Sequence, residues 1–156
     1  MDLIAYLQQI RIVLVGTTHP GNIGATARAM KTMGFRELVL VTPKVFPSEV
    51  ANELAAGADD ILASAHVYPD LVSALAGCQL VFATSARVRH LPLTYVTPEM
   101  CAARTIAAGQ QQQRVAIVFG RERTGLTNDE LLSCQQHVQI ATDADYGSLN
   151  LAQAVQ

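Results

Sequence analysis

The chain lacks the marks of several large protein classes. Of its 156 residues only 15% are charged and 5% aromatic, while half belong to the apolar set, so it is neither a solvated disordered chain nor a highly charged one. Its cysteines, Cys78, Cys101 and Cys134, are isolated and odd in number. That argues against a disulfide framework or a zinc site and leaves buried free thiols. No apolar run approaches the ~18 uninterrupted residues of a membrane span. Met1-Asp2-Leu3-Ile4 lacks the basic start and small-residue cleavage site of a secretory signal, so a cytoplasmic location is expected. Neither sign of charge dominates: eleven Lys and Arg against thirteen Asp and Glu give a formal net charge of −2. No global basic field exists to hold nucleic acid, and any RNA contact must come from a local patch. At this length one compact domain buries roughly 68–70% of its unfolded surface and needs no staple.

What is present is an alternation of short apolar runs and helical patterns. Arg11–Gly16 (RIVLVG) has the β-branched composition of a strand buried on both faces. A helix is expected over Asn22–Met33 with Gly34 as its stop, a strand over Leu38–Thr42, and a helix capped by Ser48 and closed by Gly57. Residues 59–65 are ambiguous. A short strand to Tyr68, a short helix over Asp70–Ala76 and a buried strand over Leu80–Thr84 follow. Thr97-Pro98-Glu99 caps a helix to about Ala107, and the glutamines from Gln110 to Gln113 read as a solvated linker. Arg114–Gly120 is the next strand, Thr127-x-x-Glu130 a capping box opening a helix to about Cys134, and Val138–Ala141 a last short strand. Such alternation predicts an α/β fold with a parallel sheet.

In open parallel sheets, ligands collect beyond the carboxyl ends of the strands. After the first strand, His19-Pro20-Gly21-Asn22-Ile23-Gly24 is followed by Arg28. The glycines suit a tight turn, and Asn22 and Arg28 lean toward the strand ends from the helix start, fitting an anionic or hydroxyl-bearing ligand; an ordinary turn with a surface arginine fits equally. The spacing is not that of a dinucleotide-binding loop. After Leu80–Thr84, Ser85 and Ala86 permit close approach by a flat ligand, and Arg87 and Arg89 suit phosphate oxygens or a plain solvated loop. After Phe119, Gly120 and Gly125 bracket Glu122 between Arg121 and Arg123, which reads as a ligand-facing carboxylate or an exposed turn. Asp143 and Asp145 lack the ligand spacing of a calcium loop, so no metal is expected. Ser148 and Asn150 open a further helix, with Ser148 as its simplest cap.

Three of these segments together, Asn22-x-Gly24-x-x-x-Arg28, Gly120-x-Glu122-x-x-Gly125-Leu126 and Ser148-Leu149-Asn150-Leu151, resemble the ordered motifs of SpoU-type RNA ribose 2′-O-methyltransferases of the SPOUT superfamily. The resemblance covers nearly the whole chain and runs closest to the enzymes that act on cytidine and uridine in tRNA. It implies a parallel sheet with flanking helices and a deep C-terminal trefoil knot, a topology that composition and periodicity do not predict. It also implies a homodimer that uses S-adenosylmethionine without a metal, on tRNA rather than DNA or a membrane, at position 32 of the anticodon loop. Thr84, Ser85, Ala86, Gly120, Ile140, Gly147, Ser148 and Leu149 are then expected to line the cofactor cleft, and Arg28 to be the catalytic arginine. Asn22, Glu122, Ser148 and Asn150 hold Arg28, the ribose and the cofactor in register, and Arg87, Arg89, Arg121 and Arg123 meet RNA phosphates. A guanidinium, with a pKa above ~12, suits orienting the hydroxyl and a phosphate better than free base catalysis. Members carry a separate C-terminal domain that aids tRNA binding, and the end at Gln156 inside an apolar-periodic helix points to a longer protein. The same chemistry on another RNA such as rRNA, or a non-catalytic cofactor- or RNA-binding module, are the alternatives.

Overall fold

The structure is a computed structural model that describes residues 1–86 and 91–156. Among those residues, the elements in chain order are α1 (Leu3–Leu7), β1 (Arg11–Val15), α2 (Pro20–Thr32), β2 (Glu37–Val41), α3 (Glu49–Ala55), α4 (Asp59–Ala63), β3 (His66–Tyr68), α5 (Leu71–Ala74), β4 (Leu80–Thr84), β5 (Tyr95–Val96), α6 (Pro98–Gln110), β6 (Val115–Phe119), α7 (Asn128–Leu132), β7 (Gln136–Val138) and α8 (Leu151–Val155). The strands form one seven-stranded sheet in the order β3-β2-β1-β6-β4-β7-β5, and all its strand pairs are parallel. This is the expected α/β architecture.

The central strands carry β-branched and aliphatic runs because both faces are covered. Along β1, Ile12 and Leu14 point into a core shared with Ile23, Ala27 and Met30 of α2, Ala51 and Ala55 of α3 and Leu151 of α8. Val13 and Val15 point the other way, against Leu71 and Ala74 of α5 and Leu131 of α7. A third cluster joins Phe82 and Val115 to Cys101 and Ala108 of α6. Each fully buried aliphatic or aromatic side chain contributes roughly 1.5–3 kcal/mol, so the sheet is anchored from both sides.

Several expectations are corrected. The last strand is β7, Gln136–Val138, and not Val138–Ala141; pairing with Phe82–Thr84 of β4 on one side and Tyr95–Val96 on the other fixes it two residues earlier. The two-residue β5 is too short to leave a periodic signal. The same holds for α1, which is pinned by Tyr6: its hydroxyl donates to the carbonyl of Thr105 in α6 at 3.0 Å. The ambiguous stretch after Ala58 is the helix α4, and α6 runs on to Gln110.

The larger difference concerns the first loop. Pro20 is the first residue of α2, so Gly21 and Gly24 lie inside the helix and do not shape a turn. A Cβ on Gly24 would stand 2.0 Å from the Ala51 carbonyl oxygen, and one on Gly21 would stand 2.6 Å from a Leu54 methyl. These glycines serve the close packing of α2 on α3. Beyond β7 the chain passes through an exposed loop and returns to lay α8 against α2 on the far side of β4 and β6.

Candidate functional site

Strand order reverses around β1 and β6: the chain leaves β1 toward β2 on one side, while β4 and β7 lie on the other. The loops after β1 and β6 therefore face each other across the crevice where such sheets bind ligands. Glu122 from the β6 loop fills it. Its carboxylate accepts the N–H of Thr18 at 2.9 and 3.1 Å, the N–H of His19 at 2.9 Å and Asn22 Nδ2 at 3.0 Å. Asn22 Oδ1 in turn accepts Asn150 Nδ2 at 3.2 Å, and Asn150 Oδ1 accepts the Ala152 N–H, capping α8. One hydrogen-bonded chain thus joins the three segments singled out in the sequence. Burial alone would raise the Glu122 carboxyl, but the N–H groups of Thr18 and His19 and the Asn22 amide together hold it below the ordinary glutamate range. Glu122 is a resident anion whose donors are all neutral, so it cancels no nearby cation.

Arg28 stands elsewhere. Six residues from Asn22, it is turned about 240° around the helix, at ~100° per residue, so the two do not lean toward one point. It is exposed and lines a groove of about 420 Å³ with Ala25, Ala29 and Thr32 of α2 and Ala152, Gln153 and Gln156 at the chain's end. No carboxylate among the described residues pairs with it.

The arginines flanking Glu122 differ from each other. Arg121 donates to Glu130 at 2.8 and 3.2 Å and to the Gly125 carbonyl at 3.2 Å, and Glu130 also closes the capping box with Thr127. Its fork is engaged within the chain. Arg123 is exposed and has no ion pair among the described residues. Arg87 and Arg89 lie outside the described residues. Sequence patterns pass over Lys44, an exposed lysine whose backbone N–H donates to the Thr17 carbonyl at 3.0 Å. That bond ties the loop after β2 onto the loop after β1. No periodic or motif signal marks it.

Of the residues expected around a cofactor, Thr84 ends β4 with Ser85 and Ala86 after it, Gly120 follows β6 and Ile140 follows β7, at the carboxyl ends of three neighbouring strands, while Gly147, Ser148 and Leu149 lie in the loop before α8. The Thr84 hydroxyl donates to the Val118 carbonyl at 3.0 Å and the Ser85 N–H to the Val138 carbonyl at 3.0 Å, which locks these strand ends together. Ala86 is exposed and Ile140 half-buried. A Cβ on Gly120 would stand 2.4 Å from the Gly125 carbonyl carbon, so this glycine is needed for the loop to close on itself. Ser148 is exposed and caps nothing; the cap is Asn150. Leu149 remains 40% exposed beside it. Small residues and exposed apolar surface such as that of Leu149 suit a flat ligand such as adenine. No group of His, Cys, Asp or Glu among the described residues is arranged to hold a metal. Burial pushes all three cysteine thiols up, Cys101 to about 11 and Cys134 to about 12, away from the thiolate form that a nucleophile needs.

Comparison with known proteins agrees with these observations. Residues 9–156 match the SpoU rRNA Methylase family. The tRNA (cytidine/uridine-2′-O-)-methyltransferase TrmJ of Klebsiella pneumoniae is 56% identical over 150 residues, 96% of this chain and 61% of that protein. The chain therefore spans about three-fifths of the length of the curated relatives it matches. A methylase family protein of Haemophilus influenzae superposes with a TM-score of 0.91 at 51% identity, over 96% of this chain and 63% of that one. An AdoMet-bound rRNA methyltransferase of Sinorhizobium meliloti superposes at 0.69 with 25% identity, over 94% and 52% of the two chains.

Proposed function

Because the chain belongs to the SpoU methylase family, we propose that it methylates the ribose 2′-hydroxyl of cytidine or uridine in the tRNA anticodon loop, at position 32. The observation that carries this reading is the Asn150–Asn22–Glu122 chain, which draws the three separate motifs to the strand-order reversal. The 56%-identical relative, a tRNA (cytidine/uridine-2′-O-)-methyltransferase, supports the choice of substrate.

S-adenosylmethionine, when bound, supplies an electrophilic methyl group. The residues that would hold it are Thr84, Ser85 and Ala86, Gly120 and Ile140 at three adjacent strand ends, with Gly147, Ser148 and Leu149 from the loop before α8. The reaction then needs the ribose held in line and its developing alkoxide stabilised. Arg28, exposed and without an ion pair among the described residues, does that work: its guanidinium donates to the 2′-oxygen and an adjacent phosphate, and the proton leaves to the phosphate or to water, since a guanidinium does not accept it. Glu122 fixes the start of α2, and with it the direction from which Arg28 reaches. Asn150 ties the returning segment to the same point, and Ser148 offers a free hydroxyl beside it. Arg123 and Lys44 meet RNA phosphates, together with Arg87, Arg89 and, where its fork permits, Arg121. The enzyme works as a homodimer, with the groove beside Arg28 open toward a second subunit.

Incubation with S-adenosylmethionine and bulk RNA, followed by nucleoside mass spectrometry, tests the reading. A 2′-O-methylated pyrimidine in tRNA is the expected product; methylation confined to rRNA overturns the choice of substrate. Sedimentation showing only a ~17 kDa species at micromolar concentration overturns the dimer.

A further inference from the structure

Of the four tyrosines, three are engaged. Tyr6 is buried with its hydroxyl on two carbonyls, Tyr68 packs on the core beside α5, and the ring of Tyr95 lies 6.2 Å from that of His137. Tyr146 is different: it is 88% exposed and its side chain has no partner among the described residues. The loop that carries it is nonetheless tightly built. Asp143 Oδ1 accepts the N–H groups of both Asp145 and Tyr146, at 2.9 and 3.0 Å. At the other side of the ring Gly147 is pressed against the start of the loop, where an added Cβ would stand 2.8 Å from Thr142 Oγ1 and 3.1 Å from the Asp143 carbonyl oxygen. The backbone on both sides of Tyr146 is thus fixed, and the loop holds an aromatic ring out in water. Four residues on, Asn150 enters the Asn22–Glu122 chain.

We infer that Tyr146 is a stacking platform for the base of the target nucleotide. This deepens the methyltransferase reading and rests on it. A ribose 2′-hydroxyl can be presented only if its nucleotide is held out of the loop, and an unpaired base needs a surface for its face. Stacking on an aromatic ring fixes a base without reading its hydrogen-bonding edge. An enzyme that selects the ribose and accepts cytidine and uridine alike requires that kind of hold. A loop whose backbone is already fixed by its own contacts loses little entropy in supplying it.

Two variants, compared with the parent chain on a tRNA transcript, decide it. Tyr146→Ala is expected to lower kcat/KM by roughly 5- to 150-fold, the range set by removing one base-stacking ring, with cytidine and uridine substrates affected alike. Tyr146→Phe keeps the ring and should stay within about threefold of the parent. Both should bind S-adenosylhomocysteine as the parent does and melt at the same temperature, because the ring is exposed and has no partner among the described residues. Parent-like kcat/KM for Tyr146→Ala, equal loss in Tyr146→Phe, or a matching loss of S-adenosylhomocysteine affinity would each overturn the inference, the last placing the ring on the cofactor instead. If the unaltered chain transfers no methyl group to any RNA, it is the methyltransferase reading that fails. Stacking is then read alone from tyrosine emission, which no tryptophan masks in this chain. An RNA hairpin with a pyrimidine loop should quench the parent more than Tyr146→Phe, and equal quenching rejects the platform.

Discussion

The two ends of the sheet each hold a carboxylate bracketed by donors, and they use it in opposite ways. At the amino end Glu37 lies between two arginines: Arg11 Nε donates to it at 3.0 Å, and Arg114 Nη2 bonds its other oxygen. Arg11 also donates to the carbonyls of Ala74 and Ala76 at 2.7 and 3.0 Å, closing the end of α5. Both cations are engaged by that one carboxylate there, and the cluster is architecture. At the carboxyl end Glu122 is satisfied by neutral N–H groups, so Arg28, Arg123 and Lys44 keep their charge. Donor type, more than the count of charges, separates a structural cluster from one able to meet an anion. On the reading proposed above, these exposed cations are the positive edge that RNA meets in a chain with a formal charge of −2.

The sharpest way to break the contrast is to remove a cation from each end. Arg28→Ala should cost on the order of 10²–10³-fold in kcat, the scale of losing one donor to a developing oxyanion. It should leave the melting temperature and S-adenosylhomocysteine affinity unchanged, because the side chain is exposed and unpaired. Retained turnover would remove Arg28 from the mechanism. Arg11→Ala should do the reverse. It strands Glu37 beside Arg114 alone and leaves two carbonyls unpaired, for roughly 3 kcal/mol of stability, read from denaturant melts, while kcat of the remaining folded protein stays the same. A loss below about 1 kcal/mol would mean that the amino-end cluster is not structural.

How much of this was legible in the sequence divides along the same line. The strands β1, β2, β4 and β6 announced themselves because burial on both faces demands unbroken apolar runs, and the box at Thr127 and Glu130 formed as its spacing predicts. The β7 boundary was misplaced because His137, buried at 2% exposure between β4 and β5, does not look like a strand residue. Its place is set by neighbours far away in sequence. Gly21 and Gly24 were read as turn residues because a local pattern cannot distinguish a glycine that bends the chain from one that lets α3 approach. Asn22, Glu122 and Asn150 were visible as a set only through the family's ordered motifs. Their hydrogen-bonded chain depends on strand order, which no local pattern reports.

Glu122→Gln tests the carboxyl end more gently. The amide oxygen keeps one acceptor for the donors from Thr18, His19 and Asn22, so the loss should be about 1 kcal/mol. The pH dependence gives the sign. Because the folded carboxyl titrates below the ordinary value of 4.5, its contribution is complete above that value and disappears as pH falls through the lower, folded one. Melting temperatures of the parent and Glu122→Gln should therefore differ most at neutral pH and converge on acidification below 4.5. A gap that stays constant down to strong acid would show that the carboxylate charge contributes nothing.

The smallest expected effect falls on Lys44, which no motif marks. It is exposed, so its removal should leave stability and cofactor affinity as they are. Its backbone bond to Thr17 belongs to the main chain and survives substitution. If its ammonium meets an RNA phosphate, Lys44→Ala should weaken tRNA binding only a few-fold at moderate salt. It should also flatten the dependence of log affinity on log salt by about 0.7–0.9, the share of one phosphate contact. The change should appear in KM and not in kcat, since the lysine steers the backbone and touches no reacting atom. An unchanged salt slope would confine the positive edge to the arginines. A fallen kcat would place Lys44 nearer the chemistry than its loop suggests.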